Sequence, residues 1–423
     1  MISFLSLVLQ VALGVFSQDP KLSAGNLCGY FPQDTLVTAP PIGYKPFYIS
    51  HAARHGSRFL SHSDSTTFFV ADTLAKYAEK GLLTADGYAL MEDIRRLKAM
   101  SDGNYGRLTE AGANEHRQIS ARMYRHYPEV FNNRKRPEIA AYSTDSKRVQ
   151  ESMHAFTGEL TGRSPALLVD HTVITHDKRA SSREVTGNHL HGSAADRAKK
   201  DERTYYGPVE ELRKDYDLQT FAKRFFTDPQ AIPSKSLTYM AKACFKCQKT
   251  DLSMGRWFTP EELYYFWLSS SLYWAKYVNF HDYTSPITCA RGGGMIEQII
   301  EDADNALNSR SRSAATLRFT HDTYMLPLMA AVGFESTVLE CTEREIPEHF
   351  QDYNFVCPAC NVQLIFYRRG CCGPVLVKLL LNEKESLIHG LAPVKGCYYD
   401  WQSLKNFWQA RIESFNNRYT YLK

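Results

Sequence analysis

Three short apolar runs in this chain each end in a polar motif and lead into a loop or a helix. The first begins near Pro46 and stops at Arg54, the second covers residues 138–143, and the third covers residues 314–320. In an open α/β sheet the carboxyl ends of the strands line one crevice, so motifs far apart in sequence converge there. The pattern therefore predicts an α/β fold with a mostly parallel sheet and flanking helices.

The motif after the first run is Arg54-His55-Gly56-Ser57-Arg58. Its two guanidinium groups form an anion-binding fork beside a potential nitrogen nucleophile, and the glycine lets backbone approach a bound group. A solvated surface loop is the alternative, because any short run with two arginines can arise there. The residue types favour a phosphate site.

The other two runs end in single functional candidates. Arg148 lies at a strand-to-helix turn after Ser143-Thr144-Asp145-Ser146-Lys147, and His321-Asp322 directly follows residues 314–320. Taken alone, Arg148 is as well explained by a surface position, and a lone histidine is often a satisfied core group. Their common position after a predicted strand places both near the first motif.

These motifs together resemble a known family. Arg54 to Arg58 after a strand resembles the signature of the histidine acid phosphatase branch of the histidine phosphatase superfamily. The segment 143–149 resembles the strand-end motif whose arginine completes the phosphate pocket, and Leu108-Thr109-Glu110-Ala111-Gly112 is a further point of similarity. The resemblance runs from about residue 43 to the C-terminus. Over that range the chain is similar to exported bacterial multiple inositol polyphosphate phosphatases and phytases.

The resemblance implies a role for each motif residue. His55 would attack phosphorus and form a phosphohistidine, and Asp322 would protonate the leaving oxygen and later deprotonate the attacking water. The phosphate would be bound by four residues that stabilise charge on its equatorial oxygens, namely Arg54, Arg58, Arg148 and His321. Because a free aspartic acid titrates near about 3.9, we expect either an acidic pH optimum or a raised pKa at Asp322.

Two positions depart from the family pattern. Leu60 stands where a proline is usual, and His321-Asp322-Thr323 stands where inositol polyphosphate phosphatases of that branch carry His-Ala-Glu. The aspartate is closer to the acid phosphatase and phytase pattern. We therefore expect hydrolysis of phosphomonoesters, with inositol polyphosphates such as phytate as candidate substrates.

Three other functions use similar residues. A mutase would transfer the phosphoryl group between two sites on one substrate, and a phosphate-binding protein would keep the fork without turnover. A metal-dependent hydrolase needs a ligand pattern that the sequence lacks, so no metal and no cofactor are predicted. Export argues against a mutase, and the presence of both His55 and Asp322 argues against simple binding.

Composition limits the partners. A formal net charge of +4 and a pI near 8.4 favour small anionic substrates such as phosphomonoesters but are far from a nucleic-acid-binding signature. The ten cysteines permit disulfides, and two Cys-x-x-Cys pairs, at Cys244 and at Cys357, give only a weak zinc signal. The oligomeric state is open.

The predicted organisation has four parts. Residues 1–18 are predicted to be a signal peptide, which indicates an exported, periplasmic or extracellular protein without a stable membrane span in the mature chain. No Lys or Arg precedes the apolar run, so an uncleaved apolar N-terminus is the alternative. Residues 19–169 and 311–423 form the α/β core, and residues 170–310 form a large inserted, mostly helical cap domain. Within that insertion, the basic stretch from Lys178 to Arg203 is a candidate for binding additional phosphates, and Gly292 to Gly294 are expected to precede a helix as a hinge.

Overall fold

One mixed sheet organises the fold. The computed structural model describes residues 14–31, 37–61, 68–132, 137–174, 218–232, 254–275, 284–308, 310–341, 345–370 and 373–421. In those ranges the strands are β1 (Tyr44–Arg54), β2 (Glu138–Thr144), β3 (Leu168–Ile174), β4 (Ser313–Thr320), β5 (Asn361–Arg369), β6 (Val375–Leu381), β7 (Lys384–Glu385) and β8 (Tyr398–Asp400).

The strand order explains how separated motifs meet. The order is β3-β2-β4-β1-β5-β6-β7, with β8 also paired to β6. Strands β3, β2, β4 and β1 are parallel to one another, whereas β5 to β8 add antiparallel pairs at the other side. The predicted α/β class, with a sheet that is mostly parallel in its core, is confirmed. Strands β5 and β6 pair with each other as an antiparallel hairpin.

Helices flank the sheet. They are α1 (Phe69–Glu79), α2 (Ala85–Ser101), α3 (Glu110–His126), α4 (Pro128–Asn132), α5 (Lys147–Arg163), α6 (Leu218–Phe225), α7 (Pro260–Ala275), α8 (Thr284–Leu307), α9 (Asp322–Val332), α10 (Ile346–His349), α11 (Asp352–Phe355) and α12 (Trp401–Tyr421). A 3-10 helix, Pro20–Leu27, precedes β1. None of the helices in the described ranges combines the length and the apolar content that crossing a membrane requires.

The central strands are apolar because both of their faces are covered. The last eight residues of β1 and the last seven of β4 are buried. A parallel strand with helices on both sides is expected to show such a continuous buried run rather than alternation.

Local signals set the helix ends. The N-cap Thr259 and Glu262 form a reciprocal capping box at the start of α7, with bonds of 2.9 and 3.3 Å. Helix α9 ends at Gly333, whose φ of 81° is the left-handed conformation that a glycine C-cap supplies.

The expectation that Gly292 to Gly294 precede a helix is wrong, because these glycines lie inside α8. Helix α8 packs so tightly on α9 that a Cβ on Gly292 would lie 2.2 Å from the carbonyl oxygen of Pro327. The glycine is needed for close helix packing, which outweighs its poor helix propensity.

The predicted division into core and cap stays a prediction. Strand β3 reaches Ile174 and pairs with β2, so the sheet crosses the boundary expected at residue 170. Phe16, within the predicted signal peptide, is buried and packs edge-on against Trp267 with ring centroids 5.4 Å apart. Cleavage after residue 18 would remove this contact.

The cysteines whose side chains the structure describes are free thiols: Cys28, Cys341, Cys357, Cys360 and Cys397. Cys357 and Cys360 are both buried and unpaired, whereas the other Cys-x-x-Cys pair lies outside the described residues. Within the described ranges, no three His, Cys, Asp or Glu side chains are grouped so as to hold a metal ion.

Candidate active site

The three motifs meet at one edge of the sheet because β2, β4 and β1 are adjacent and parallel. Arg54 at the end of β1 is in register with Thr320 at the end of β4, and the His55 N–H donates to the Thr320 carbonyl at 2.9 Å. The rings of His55 and His321 therefore stand edge to face, with centroids 5.5 Å apart. From β2, Thr144 Oγ1 lies 3.3 Å from His321 Nε2.

The start of α3 holds the loop that carries His55. A Cβ on Gly56 would lie 2.3 Å from the Gly112 carbonyl oxygen, and a Cβ on Gly112 would lie 2.2 Å from the Ser57 carbonyl oxygen. Thr109, the N-cap of α3, donates its N–H and its hydroxyl to that same Ser57 oxygen, at 2.9 and 3.0 Å. Thr109 and Gly112 of the Leu-Thr-x-x-Gly motif therefore allow the N-terminus of α3 to pack directly against the loop that carries His55.

Ser152 joins the same loop to the helix that carries Arg148. The Gly56 N–H donates to Ser152 Oγ at 3.1 Å, and the Ser152 hydroxyl donates to the Arg148 carbonyl at 2.8 Å. One buried serine therefore sets the position of the loop that carries His55 relative to the first turn of α5.

The environment of His55 suits a neutral nucleophile. Its Nδ1 lies 2.8 Å from the Gly56 carbonyl oxygen, which can only accept, so Nδ1 carries the hydrogen and Nε2 keeps its lone pair. Burial first, and then the positive charges of Arg54 and Arg148, hold the pKa of His55 well below its usual value. The imidazole therefore stays uncharged to a lower pH than that of a free histidine.

Arg54 is buried and contacts protein groups. Its Nη2 forms a 2.8 Å ion pair with Asp322 Oδ2, and its Nη1 donates to the carbonyls of Asn26 and of Val356, the latter at 2.6 Å. Only its buried Nε has no protein partner. Arg54 orients Asp322, and its expected contact with phosphate stays a prediction.

Arg58 and Arg148 bring further positive charge. Arg148 Nη2 lies 3.4 Å from His321 Nδ1. Burial, followed by the charges of Arg58 and Arg54, lowers the pKa of Arg148 to about 10. Arg54, Arg58 and Arg148 outnumber the two carboxylates beside them, Asp322 and Glu115, so positive charge is in excess there, which favours an anion.

Asp322 begins α9, where the helix dipole and free backbone N–H groups favour a carboxylate. Burial alone would raise its pKa, but the charges of Arg54 and His321 and the Thr323 N–H outweigh it, so the pKa of Asp322 lies below its usual value. Of the two expectations for a proton donor, the site therefore favours an acidic optimum over a raised pKa.

Sequence reasoning missed several residues that build the site. Glu115 accepts from the Ser57 N–H at 2.8 Å, from the Ser57 hydroxyl at 2.6 Å and from the Tyr30 N–H at 3.1 Å. Asn26, from the segment before β1, donates to Asp322 Oδ2 at 3.2 Å. Neither residue belongs to a short motif, so only their positions in the fold reveal them.

Two other expectations have different outcomes. Leu60, at the usual proline position, is buried in the main apolar core, so its side chain packs inward. The basic stretch from Lys178 to Arg203 lies outside the described residues.

Comparison with known proteins identifies the family. The model of the histidine phosphatase superfamily (branch 2) matches residues 52–388, so this chain belongs to that superfamily. A comparison with curated proteins finds no match.

Solved structures share the fold at low identity. The apo form of Bifidobacterium longum multiple inositol polyphosphate phosphatase is 16% identical, with a TM-score of 0.72 over 90% of this chain and 96% of that one. Its complex with inositol hexasulfate has a TM-score of 0.71, 16% identity and the same two coverages. The phytase from D. castellii has a TM-score of 0.65 and 15% identity, over 93% of this chain and 85% of that one.

Proposed function

We propose that this protein hydrolyses phosphomonoesters through a phosphohistidine at His55, with Asp322 as the proton donor. The arrangement of His55 carries the proposal. Its Nδ1 is committed to the Gly56 carbonyl, which leaves Nε2 as the nucleophile, and His321 faces it across 5.5 Å between ring centroids. Family membership supports a phosphatase on independent grounds.

The proposed reaction has two steps. In the first, Nε2 of His55 forms a bond to phosphorus while the bond to the leaving oxygen breaks, and Asp322 gives that oxygen a proton. In the second, the Asp322 carboxylate takes a proton from water, which displaces phosphate from His55. Arg54, Arg58, Arg148 and His321 would stabilise charge on the transferred group.

Inositol polyphosphates are the proposed substrate class. The excess of positive charge at the site suits a highly phosphorylated substrate. Relatives that share the fold are a multiple inositol polyphosphate phosphatase, solved with inositol hexasulfate, and a phytase. Single phosphomonoesters are the broader class that the site residues support.

The test is a panel of phosphomonoesters that includes inositol hexakisphosphate, assayed with EDTA from pH 3 to pH 8. We expect release of phosphate by the wild type and its loss in His55→Ala. His389→Ala, at an exposed histidine, is the matched control and should keep wild-type activity. Turnover that survives His55→Ala or needs a divalent metal contradicts the proposal. Isomerised substrate without free phosphate indicates a mutase instead.

We also propose export, which rests on the apolar run from Ile2 to Phe16. Cell fractionation and N-terminal sequencing of the exported protein test it. We expect the exported form to begin near residue 18, and a full-length chain that stays in the cytoplasm contradicts the proposal.

A further inference from the structure

We propose that Asn26 is a positioning residue that selects which oxygen of Asp322 carries the proton delivered to the leaving group. The inference deepens the proposed function and rests on it. Asn26 lies before β1, in the 3-10 helix Pro20–Leu27, and is 7% exposed.

The two oxygens of Asp322 have different partners. Oδ2 accepts from the Asn26 amide at 3.2 Å and lies 2.8 Å from Arg54 Nη2 in an ion pair. Oδ1 accepts from the Thr323 N–H at 2.8 Å. A carboxylate oxygen has about two acceptor sites. The Asn26 donor and the Arg54 guanidinium both lie against Oδ2, whereas Oδ1 is contacted by the Thr323 N–H and keeps one site free.

The free site on Oδ1 is where a proton can reside. Protonation at Oδ2 would place its hydrogen against the Asn26 donor or beside the positive charge of Arg54, so the acid form of Asp322 carries its hydrogen on Oδ1. In the first step the Oδ1–H bond breaks and the proton passes to the leaving oxygen. That oxygen keeps the electron pair of the broken P–O bond, and phosphorus becomes bonded to His55 Nε2.

Two buried side chains, those of Asp352 and Arg54, hold the backbone of Asn26 in place. Its N–H donates to Asp352 Oδ2 at 3.1 Å, and its carbonyl accepts from Arg54 Nη1. Asp352 is completely buried, and its Oδ1 accepts from Trp267 Nε1 at 2.9 Å. A Cβ at Gly25 would lie 2.3 Å from Asp352 Oδ2, so backbone and carboxylate are in direct contact there.

Charged groups around Asp322 also act on its pKa, and the loss of Asn26 has to be separated from their effects. Arg54 from β1, Arg58 from the loop and His321 from α9 act to lower the pKa of Asp322. The buried Cys360 at the start of β5 is also close, and Arg148 on α5 senses Asp322 in turn. Asn26 is a neutral donor from a different segment, so it can be removed without changing any of these charges.

The experiment measures kcat/KM against pH for Asn26→Ala and the wild type, with an alkyl phosphate and p-nitrophenyl phosphate. The ratio of variant to wild type at each pH cancels the ionisation of the substrate. Losing a donor to the ionised carboxylate raises the pKa of Asp322, so the limb on which activity falls with rising pH should move up by about half a unit to one unit.

The two substrates separate proton placement from folding. With the Asn26 donor gone from Oδ2, the proton is no longer confined to Oδ1, so kcat/KM for the alkyl phosphate should fall by about tenfold. The p-nitrophenyl leaving group needs little protonation and should lose much less. Asn354→Ala, at an exposed asparagine two residues from Asp352, is the matched control and should change neither readout.

Asn26→Asp is the second variant, in case Asn26→Ala fails to fold. The aspartate keeps the shape of the asparagine side chain and the backbone contacts of residue 26. A second carboxylate beside Oδ2 should move the same limb upward by more than Asn26→Ala does, because like charges disfavour ionisation. A ratio that is constant over pH and equal for both substrates, in both variants, overturns the inference while leaving His55-dependent hydrolysis intact. A wild type without His55-dependent turnover overturns the proposed function and this inference with it.

Discussion

Gly56 and Gly112 interlock at the back of the active-site loop. A Cβ on Gly56 would come within 2.3 Å of the Gly112 carbonyl oxygen, and a Cβ on Gly112 within 2.6 Å of the Ser57 nitrogen. Both contacts are with backbone, which cannot rotate away as a side chain does. The loop that carries His55 therefore depends on the absence of side chains at two positions, more than 50 residues apart in sequence.

Gly112→Ala should displace the loop and impair catalysis. The added methyl group must push the Ser57 backbone away, at a cost of about 1–3 kcal/mol in the free energy of unfolding. Because His55 is two residues from the contact, we expect kcat to fall by about tenfold to a hundredfold. Urea unfolding and steady-state kinetics measure the two effects.

Gly158→Ala is the matched control, since Gly158 lies within α5 and a Cβ there meets nothing within 4 Å. It should leave kcat unchanged and raise the free energy of unfolding by about 0.5–1 kcal/mol, as expected for alanine over glycine in a helix. Equal effects of the two substitutions would contradict the interlock.

Glu115→Gln should weaken the same loop from its other side. Both oxygens of Glu115 accept hydrogen bonds, from Ser57 and from the Tyr30 backbone, and an amide must present N–H hydrogens to one of these donors. We expect a loss of about 1–3 kcal/mol in stability and a lower kcat.

Glu110→Gln is the control on the same helix, where the carboxylate is 75% exposed and pairs with Arg117. An exposed ion pair contributes about 0–1 kcal/mol, so little change is expected. If Glu115→Gln behaves like Glu110→Gln in both measurements, the buried carboxylate does not hold the loop.

The sequence predicted the motif positions better than the supports of the site. The strands ending at Arg54, Thr144 and Thr320 follow from continuous apolar runs, and the polar residues after them follow from the topology of parallel sheets. Glu115 was not found because it bonds to backbone N–H groups. Any long polar side chain on a helix can make such bonds, so no sequence pattern marks the residue that does.

Asn26 and the glycines of α8 were missed for a related reason. Asn26 lies before the first predicted strand and outside every motif, and its partner Asp322 is 296 residues away in sequence. Gly292 indicates a break when its neighbours are read alone, whereas its packing against Pro327 on another helix decides its conformation.

Acid conditions should destabilise the fold through two buried histidines. His51 and His116 are completely buried, and burial lowers the pKa of each to about 3. The unfolded chain binds protons at these histidines below about pH 6.5, whereas the native state does not. The stabilisation is therefore present above pH 6.5 and is lost as pH falls towards 3, by up to about 1.4 kcal/mol per pH unit for each histidine.

Free energies of unfolding at pH 7, 6 and 5 test this prediction. His51→Phe should reduce the slope against pH, whatever it does to stability at pH 7, because one titrating group is gone. His389→Phe, at an exposed position, should keep the wild-type slope. An unchanged slope in His51→Phe would show that this histidine is protonated in the native state as easily as in the unfolded chain.

Asp322→Asn should impair the hydrolysis of alkyl phosphates more than that of phenyl phosphates. The asparagine keeps the size of the side chain but has no proton of suitable acidity to give, and a poor alkoxide leaving group needs that proton most. We expect kcat/KM for an alkyl phosphate to fall by about a hundredfold to ten-thousandfold, with a smaller loss for p-nitrophenyl phosphate. Asp86→Asn, at an exposed aspartate in the first turn of α2, is the matched control and should change neither value. Equal losses on the two substrates would remove Asp322 from the proton-donor role and leave it, with Arg54, as part of the charge balance of the site.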